Sequence, residues 1–183
     1  MKKYLLLLLG IAMLATSCNK DDDAPDYSQT IIGTWKFEPP KEVTVTGSNQ
    51  EVVDQIKSDL SEDISSGDSY TVTFKSDKTC TATALDNGKT YQLKGTYSLD
   101  GEILKMKLNG DSAYEIDAIG KMKEKNGSYY YVIDKDIMID ALNKQMNDSD
   151  FSAFEKLIIA ATIESVKNSI TSIEASSKMT KIN

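Results

Sequence analysis

The chain predicts a mainly β protein, an antiparallel up-and-down barrel of about eight short strands with helices added. Three observations carry that expectation. From Tyr70 to Ile133 apolar and polar residues alternate with period two, as in strands with one buried face. Turn-forming pairs divide this stretch at Asn87-Gly88, Asp100-Gly101, Asn109-Gly110 and Asn126-Gly127. Such pairs suit tight hairpins, because both central residues tolerate positive φ. Finally, segments with helical spacing flank the alternating stretch, at 49–66 and again beyond residue 133.

Taken in order, Ile31 to Phe37 is β-rich and ends at Pro39-Pro40, and Val43-Thr44-Val45-Thr46 is a second short strand. Val52, Ile56, Leu60 and Ile64 then share one face of a helix, with Asn49 as a plausible N-cap and Gly67 just past its end. Six strands follow, at 70–74, 79–85, 89–97, 103–109, 112–124 and 128–133. Ile137, Ala141, Leu142 and Met146 form a short amphipathic helix. Asp148 or Ser149 is placed to cap a longer one from about 150 to 175, apolar nearly all round at Phe151, Phe154, Leu157, Ile158, Ile159 and Ala161. Its second half narrows to Ile163, Val166, Ile170 and Ile173. So wide an apolar start calls for burial against an open end or face of the sheet.

The first residues address the chain. Lys2 and Lys3 precede an apolar run from Tyr4 to Leu14, and Ala15-Thr16-Ser17 leads into Cys18. A basic start, a short apolar stretch and small residues before a cut describe a secretory signal. The run is shorter than the roughly 18 residues a spanning helix needs. A cysteine just after the small residues points to a bacterial lipoprotein signal, although Leu14 stands one step further from Cys18 than the usual leucine. Residues 1–17 are therefore read as signal peptide and 18–29 as lipidated start and acidic tether. Residues 30–133 are read as barrel with the insert 49–66, and 134–183 as a helical segment packed on it. Lys20-Asp21-Asp22-Asp23 after the anchor favours an outer-membrane lipoprotein displayed on the cell surface, the alternative being a periplasmic-facing one. Several acyl chains on one residue anchor stably.

Composition removes whole reaction classes. All 21 basic residues are lysine, and arginine and histidine are absent. No planar fork is present for bidentate phosphate binding, and no Ser-His-Asp triad, Cys-His pair or His-ligated zinc is available. Loss of Lys2 and Lys3 with the signal takes the formal charge from −7 to −9, which disfavours nucleic acid. With Cys18 lipidated, Cys80 stands alone in Thr79-Cys80-Thr81-Ala82, a small thiol on an alternating strand with no visible base. Asp134-Lys135-Asp136 lacks the glycine and glutamate of a calcium loop, and helix capping accounts for its acids. Glu115 and Asp117 share a strand face and imitate a hydrolase carboxylate pair, but their alternation with Tyr114, Ile116 and Ala118 reads as a solvated outer face. Neither a cofactor nor a metal is expected, and no catalytic residue is assigned; a carboxylate hydrolase is the weakest option.

Aromatic residues are the remaining candidates. Trp35, Tyr70, Phe74, Tyr91, Tyr97, Tyr129 and Tyr131 fall in or beside predicted strands. Facing inward, they would either line a cavity for a small apolar ligand or fill the core. Tyrosine's preference for half-buried strand positions makes core packing the simpler account.

Gly33-Thr34-Trp35-Lys36, the helical insert after the second strand, and Tyr91-Gln92-Leu93-Lys94-Gly95-Thr96-Tyr97 together resemble a family of secreted lipoproteins of unknown function with lipocalin-like domains from Gram-negative gut anaerobes. The resemblance implies a lipocalin-like barrel closed at its base by Trp35, with Gly33 allowing close backbone approach. In true lipocalins an arginine from a late strand packs on that tryptophan; here Lys121, Lys123 or Lys125 is the expected substitute. The function expected is non-catalytic binding of a small apolar or amphipathic ligand inside or at the mouth of the barrel. The alternative is a protein-interaction or structural envelope module with a filled barrel.

Overall fold

The computed structural model describes residues 25–40, 43–64, 70–86, 89–110, 115–149 and 151–182. Residues 1–24, which hold the expected signal peptide and Cys18, together with Gly67, Asn87-Gly88 and Tyr114 lie outside them.

Nine strands and three helices follow one another: β1 (Gly33–Phe37), β2 (Val43–Gly47), α1 (Gln50–Ile64), β3 (Tyr70–Phe74), β4 (Thr79–Asp86), β5 (Lys89–Asp100), β6 (Ile103–Gly110), β7 (Glu115–Lys125), β8 (Ser128–Asp134), α2 (Lys135–Asn147), α3 (Ala153–Ser169) and β9 (Ile170–Ile182). Strands β3 to β9 pair consecutively and antiparallel, and β1 pairs with both β3 and β9. The wall thus closes as an eight-stranded barrel, and β2 lies outside it as an extra strand on β9. Two of the hairpin signs hold their positions, whereas Asn109-Gly110, expected as a turn, ends β6 as paired strand because both residues extend the ladder to Lys94 and Leu93 of β5. Asn126 and Gly127 take φ of 53° and 71°, and Gly101 takes 56°, the left-handed values that tight turns demand.

Two features of the wall differ from the sequence expectation. The eighth barrel strand is β9, where a helix to residue 175 was expected, so the C-terminal segment completes the barrel as well as dressing it. Ile163, Val166, Ile170 and Ile173 are spaced by three and four and read as one helical stripe. Beyond Ile170, however, Ile173, Ala175, Ser177 and Met179 are buried in alternation, the period of a strand. The second correction concerns β2, expected in the wall. Pro39 and Pro40 lack the N–H a ladder needs, so the line of β1 is broken there. It resumes as β2 further along the same edge of β9: Phe37 pairs with Met179, and Val43 with Ala175.

The chain builds two cores. The first fills the barrel with Trp35, Phe37, Val72, Phe74, Leu93, Leu104 and Met122, each at most 2% exposed, together with Tyr97, Met106 and Tyr131. The second joins Val43 and Val45 of β2 and Ile170, Ile173 and Ala175 of β9 to α1, α2 and α3. The alternate residues of β9 therefore pass from one core into the other. The helices gather where β9 begins, whereas the segment Tyr27–Ile31 that precedes β1 packs into the barrel core where β9 ends.

Each helix has a local reason to start where it does. Asn49 Oδ1 accepts from the N–H groups of Glu51 and Val52. Asp134 caps α2, accepting from Ile137 N–H at 3.1 Å. For α3 the cap is Ser152, not Asp148 or Ser149. Ser152 and Glu155 form a reciprocal capping box, while Asp148 terminates α2. Lys135 Nζ donates to the carbonyls of Lys167 and Ile170 at the far end of α3, placing a cation at the negative end of its dipole.

Candidate functional site

The seven aromatic candidates separate by depth. Trp35 and Phe74 are each 1% exposed, Tyr97 5% and Tyr131 7%. Tyr129 and Tyr91 are half-buried, and Tyr70 is exposed. Instead of facing a void, most touch another ring edge-on or tilted. Trp35 meets Tyr129 at 5.4 Å between centroids, and Tyr129 meets Tyr27 at 6.2 Å. Phe37 contacts Tyr70, Phe74 and Tyr131 at 5.9 to 6.5 Å, and Phe74 meets Tyr97 at 4.9 Å. Edge-to-face contacts at these distances are favourable packing, and they form two sets, one around Trp35 and one around Phe37 and Phe74.

Polar ends of these rings are placed by their neighbours. Trp35 Nε1 donates to Ile31 O at 2.7 Å, and Tyr97 Oη to Lys75 O at 2.7 Å. Burial pushes the Tyr97 hydroxyl up, and so does the nearby Cys80. Tyr131 Oη is buried with no hydrogen-bond partner among the described residues, and burial drives its ionisation far upward. Its ring lies over Gly120, where a Cβ would come within 2.4 Å of Tyr131 Cζ. A strand glycine here makes room for the inward-facing ring of Tyr131.

The cation over Trp35 comes from an unexpected strand. Lys181 of β9 holds Nζ 5.3 Å from the ring centroid and donates to Thr30 O at 3.1 Å. Gly33 lies below it with φ +126°, and a Cβ there would come within 2.8 Å of Lys181 Cε. Lys121, by contrast, forms an ion pair with Asp134 at 2.6 Å and reaches Glu102 at 3.7 Å, and Lys123 and Lys125 belong to the β7–β8 hairpin. The cation over Trp35 is thus a lysine, but not Lys121, Lys123 or Lys125, because the strand that pairs with β1 beside the ring is β9.

Around this pair a surface groove of about 480 Å³ opens between the lead-in segment, the β7–β8 turn and the end of β9. Thr30, Ser128, Thr180, Lys178 and Lys181 supply its polar lining, and Trp35, Tyr129 and Met179 its apolar floor. Burial, and then the Glu124 carboxylate to which it bonds, push the Tyr129 hydroxyl up. A second groove of about 350 Å³ lies between α2 and α3.

The acidic and thiol candidates are placed as follows. Asp117 is buried, 8% exposed, and not solvated as its alternation suggested. It pairs in register with Lys107, and Lys144 of α2 lies within its field. Burial depresses the Lys144 ammonium, and Asp117 opposes that shift. The side chain of Glu115 lies outside the described residues. Cys80 is 1% exposed and burial pushes its thiol up to about 11, the opposite of an activated nucleophile. Among the described residues no cluster of three or more Asp, Glu or Cys could hold a metal ion, and no helix is long and apolar enough to cross a membrane.

The helical layer holds a feature that the periodicity hid. Phe154, Leu157 and Ile158 of α3 are 70%, 67% and 52% exposed. Their burial was expected. It does not occur, because α3 packs its other face, through Ile163 and Val166, into the second core.

No family model, curated protein or solved structure matches this chain.

Proposed function

We propose that this chain is a lipid-anchored, non-catalytic interaction module of the cell envelope, exported by residues 1–17 and held through Cys18. Its barrel acts as a filled support that presents the helical layer to a protein partner. One observation carries this reading: three large apolar side chains of α3 stand in solvent beside a barrel whose aromatic residues pack on one another. Contiguous exposed apolar surface on a water-soluble domain marks a contact site.

The polarity of the fold supports the same reading. Between the helical core at Ile170 and the residues beside Thr34, β9 runs for 13 residues, roughly 40 Å along the strand. The tether enters at the Thr34 end. A lipid at Cys18 would therefore hold that end toward the bilayer and the helices away from it.

A photo-crosslinking residue at position 158 of the full lipoprotein tests the proposal in cells. A discrete protein adduct that disappears when Phe154 and Leu157 are made polar is the expected result. An unreactive position 158 would end it. Loss of the membrane fraction on Cys18→Ala tests the anchor separately.

The groove over Lys181 and Trp35 favours a second reading, a small amphipathic ligand at the barrel mouth. Its volume of about 480 Å³ falls in the range of small-molecule sites, and two ammonium groups beside an aromatic floor suit an anionic head. Native mass spectrometry of the purified protein would reveal such a ligand as a co-purified mass, lost on Lys178→Glu.

A further inference from the structure

Charge along β7, β8 and β9 is sorted by end. β7 opens on Glu115 and Asp117 and closes on Lys121, Lys123, Glu124 and Lys125. β9 carries Glu174 early and Lys178 and Lys181 late. The antiparallel β8 reaches Asp134 last. Lys121 is neutralised by Asp134. Glu115, Asp117 and Glu174 then stand toward the helices, which themselves hold nine acids against five lysines. Lys123, Lys125, Lys178 and Lys181 stand in the half of the wall nearer Thr34.

These lysines frame the groove over Trp35. Tyr131 points into the barrel core, so Tyr130 faces out, and its register partners on either side are Lys123 and Lys178. Lys178 and Lys181 line the groove with Thr30, Ser128 and Thr180. Two acids share this side: Glu124 bonds the Tyr129 hydroxyl, and Glu38 adjoins Lys178 through its N–H. Around the rest of that end Lys75 and Lys78 are outnumbered by Asp26, Asp77, Asp100 and Glu102. The positive excess is therefore confined to β7–β9. Two ammonium groups and three hydroxyls beside an aromatic floor suit a phosphate carried on an apolar body.

Solvent screens exposed lysines, so each such contact is weak, and a dilute anion would fill the groove poorly. A bilayer removes that difficulty. Tyr27 touches Tyr129 at the edge of the groove, and Cys18 precedes Tyr27 by nine residues, at most about 30 Å of chain. An acyl anchor at Cys18 keeps lipid phosphates within that reach at high effective concentration. We propose that the Lys178–Lys181 end of β9 rests on the anionic surface of the membrane that holds the chain, with the groove over Trp35 taking a lipid phosphate. This rests on the reading of Cys18 as lipidated and names the anionic head of the groove's ligand as that of a bilayer lipid. It leaves α3, at the other end of β9, clear of the membrane.

The full lipoprotein, reconstituted in vesicles of phosphatidylglycerol or of phosphatidylcholine with a trace of headgroup-nitroxide lipid, tests this. A fluorophore on Thr180→Cys reports the groove and one on Leu157→Cys reports α3, both exposed positions; Cys80 is buried and stays unlabelled. The expected result is quenching at position 180 well above that at position 157, and stronger in phosphatidylglycerol than in phosphatidylcholine. Each lysine near an anionic surface changes the ratio of docked to undocked protein by roughly fivefold. Lys178→Glu with Lys123→Glu, or about 0.5 M salt, should therefore bring position 180 down to the phosphatidylcholine level. Unchanged thermal melting shows that the variants are folded. Equal quenching at position 180 in the two lipids, or greater quenching at position 157, overturns the proposal. Quenching that appears only after Asp21, Asp22 and Asp23 are made Asn gives the groove to those acids and overturns it too. Flotation with phosphatidylcholine vesicles reads the anchor separately: a protein that does not float there is not lipidated, and quenching in phosphatidylglycerol still decides the lysine surface.

Discussion

Lys181 spans the ring of Trp35, its ammonium 5.3 Å from the centroid and 3.1 Å from Thr30 O. One side chain thus joins the last strand, the first strand and the segment Tyr27–Ile31 that precedes it. It closes the barrel base where β1 and β9 meet, and Gly33 leaves the space it occupies.

Loss of that contact has a defined size. Lys181→Ala should destabilise the protein by about 1–2 kcal/mol, less than the full cation–π contact and charged hydrogen bond would give, because solvent screens an exposed ammonium. Gly33→Ala adds a methyl group that meets Lys181 Cε at 2.8 Å in a φ of +126°. The double variant should recover the clash but not the backbone strain, so the two costs should be less than additive. Urea unfolding of the four proteins measures this.

Inside the barrel, Tyr131 separates shape from polarity. Tyr131→Phe removes a buried hydroxyl that has no hydrogen-bond partner among the described residues, and should be neutral or stabilising by up to about 1 kcal/mol. Gly120→Ala drives a methyl into the ring, at 2.4 Å from Cζ, and should cost about 1–3 kcal/mol. A loss of stability in Tyr131→Phe, read by thermal melting, would show that the hydroxyl is engaged.

The Lys121–Asp134 pair links β7 to the start of α2 and carries a pH signature. Burial raises the Asp134 carboxyl, but the Lys121 ammonium and the Ile137 N–H outweigh it and hold it below the usual carboxylate range. Its contribution is therefore present above the unfolded-state value near 4 and lost as pH falls through the lower folded value. Burial likewise lowers Lys121, but Asp134 and Glu102 outweigh it and raise the ammonium. That contribution holds up to about pH 10 and is lost above it. Asp134→Asn keeps a good N-cap but removes the charge, so it should flatten both limbs of stability against pH. Asp134→Ala should lose about 1 kcal/mol more as the cap goes.

The two faces of α3 should respond oppositely to truncation. Ile163 is 6% exposed, and Ile163→Ala should cost about 2–5 kcal/mol. Leu157, at 67% exposed, should change stability by less than about 0.5 kcal/mol on the same substitution. Equal losses in denaturant unfolding would mean that the outer face is covered.

Cys80 should be inert until the barrel opens. With its thiol raised to about 11 by burial, native protein at pH 8 should resist thiol reagents. Modification should appear only at the rate of global opening in mild denaturant.

How far the fold was legible from the chain follows from the range of its signals. Period-two alternation and the Asn126-Gly127 and Asp100-Gly101 turns are local, and they specify β3 to β8 and their antiparallel order. Side-chain caps are local too, which is why Asn49 and Asp134 could be found in advance. Closure is different. Which strand reaches back to β1 depends on a pairing between Thr34 and Ile182, residues that share no local pattern. Between Ile163 and Ile173 a spacing of three and four fits a helix, and only β8 and β1, offering open edges, draw residues 170–182 into the wall. The same decision delivered Lys181 to Trp35 and displaced β2. The tertiary structure also decided which face of α3 stays wet. An all-round apolar helix can bury only the side its neighbours reach, and sequence periodicity carries no record of those neighbours.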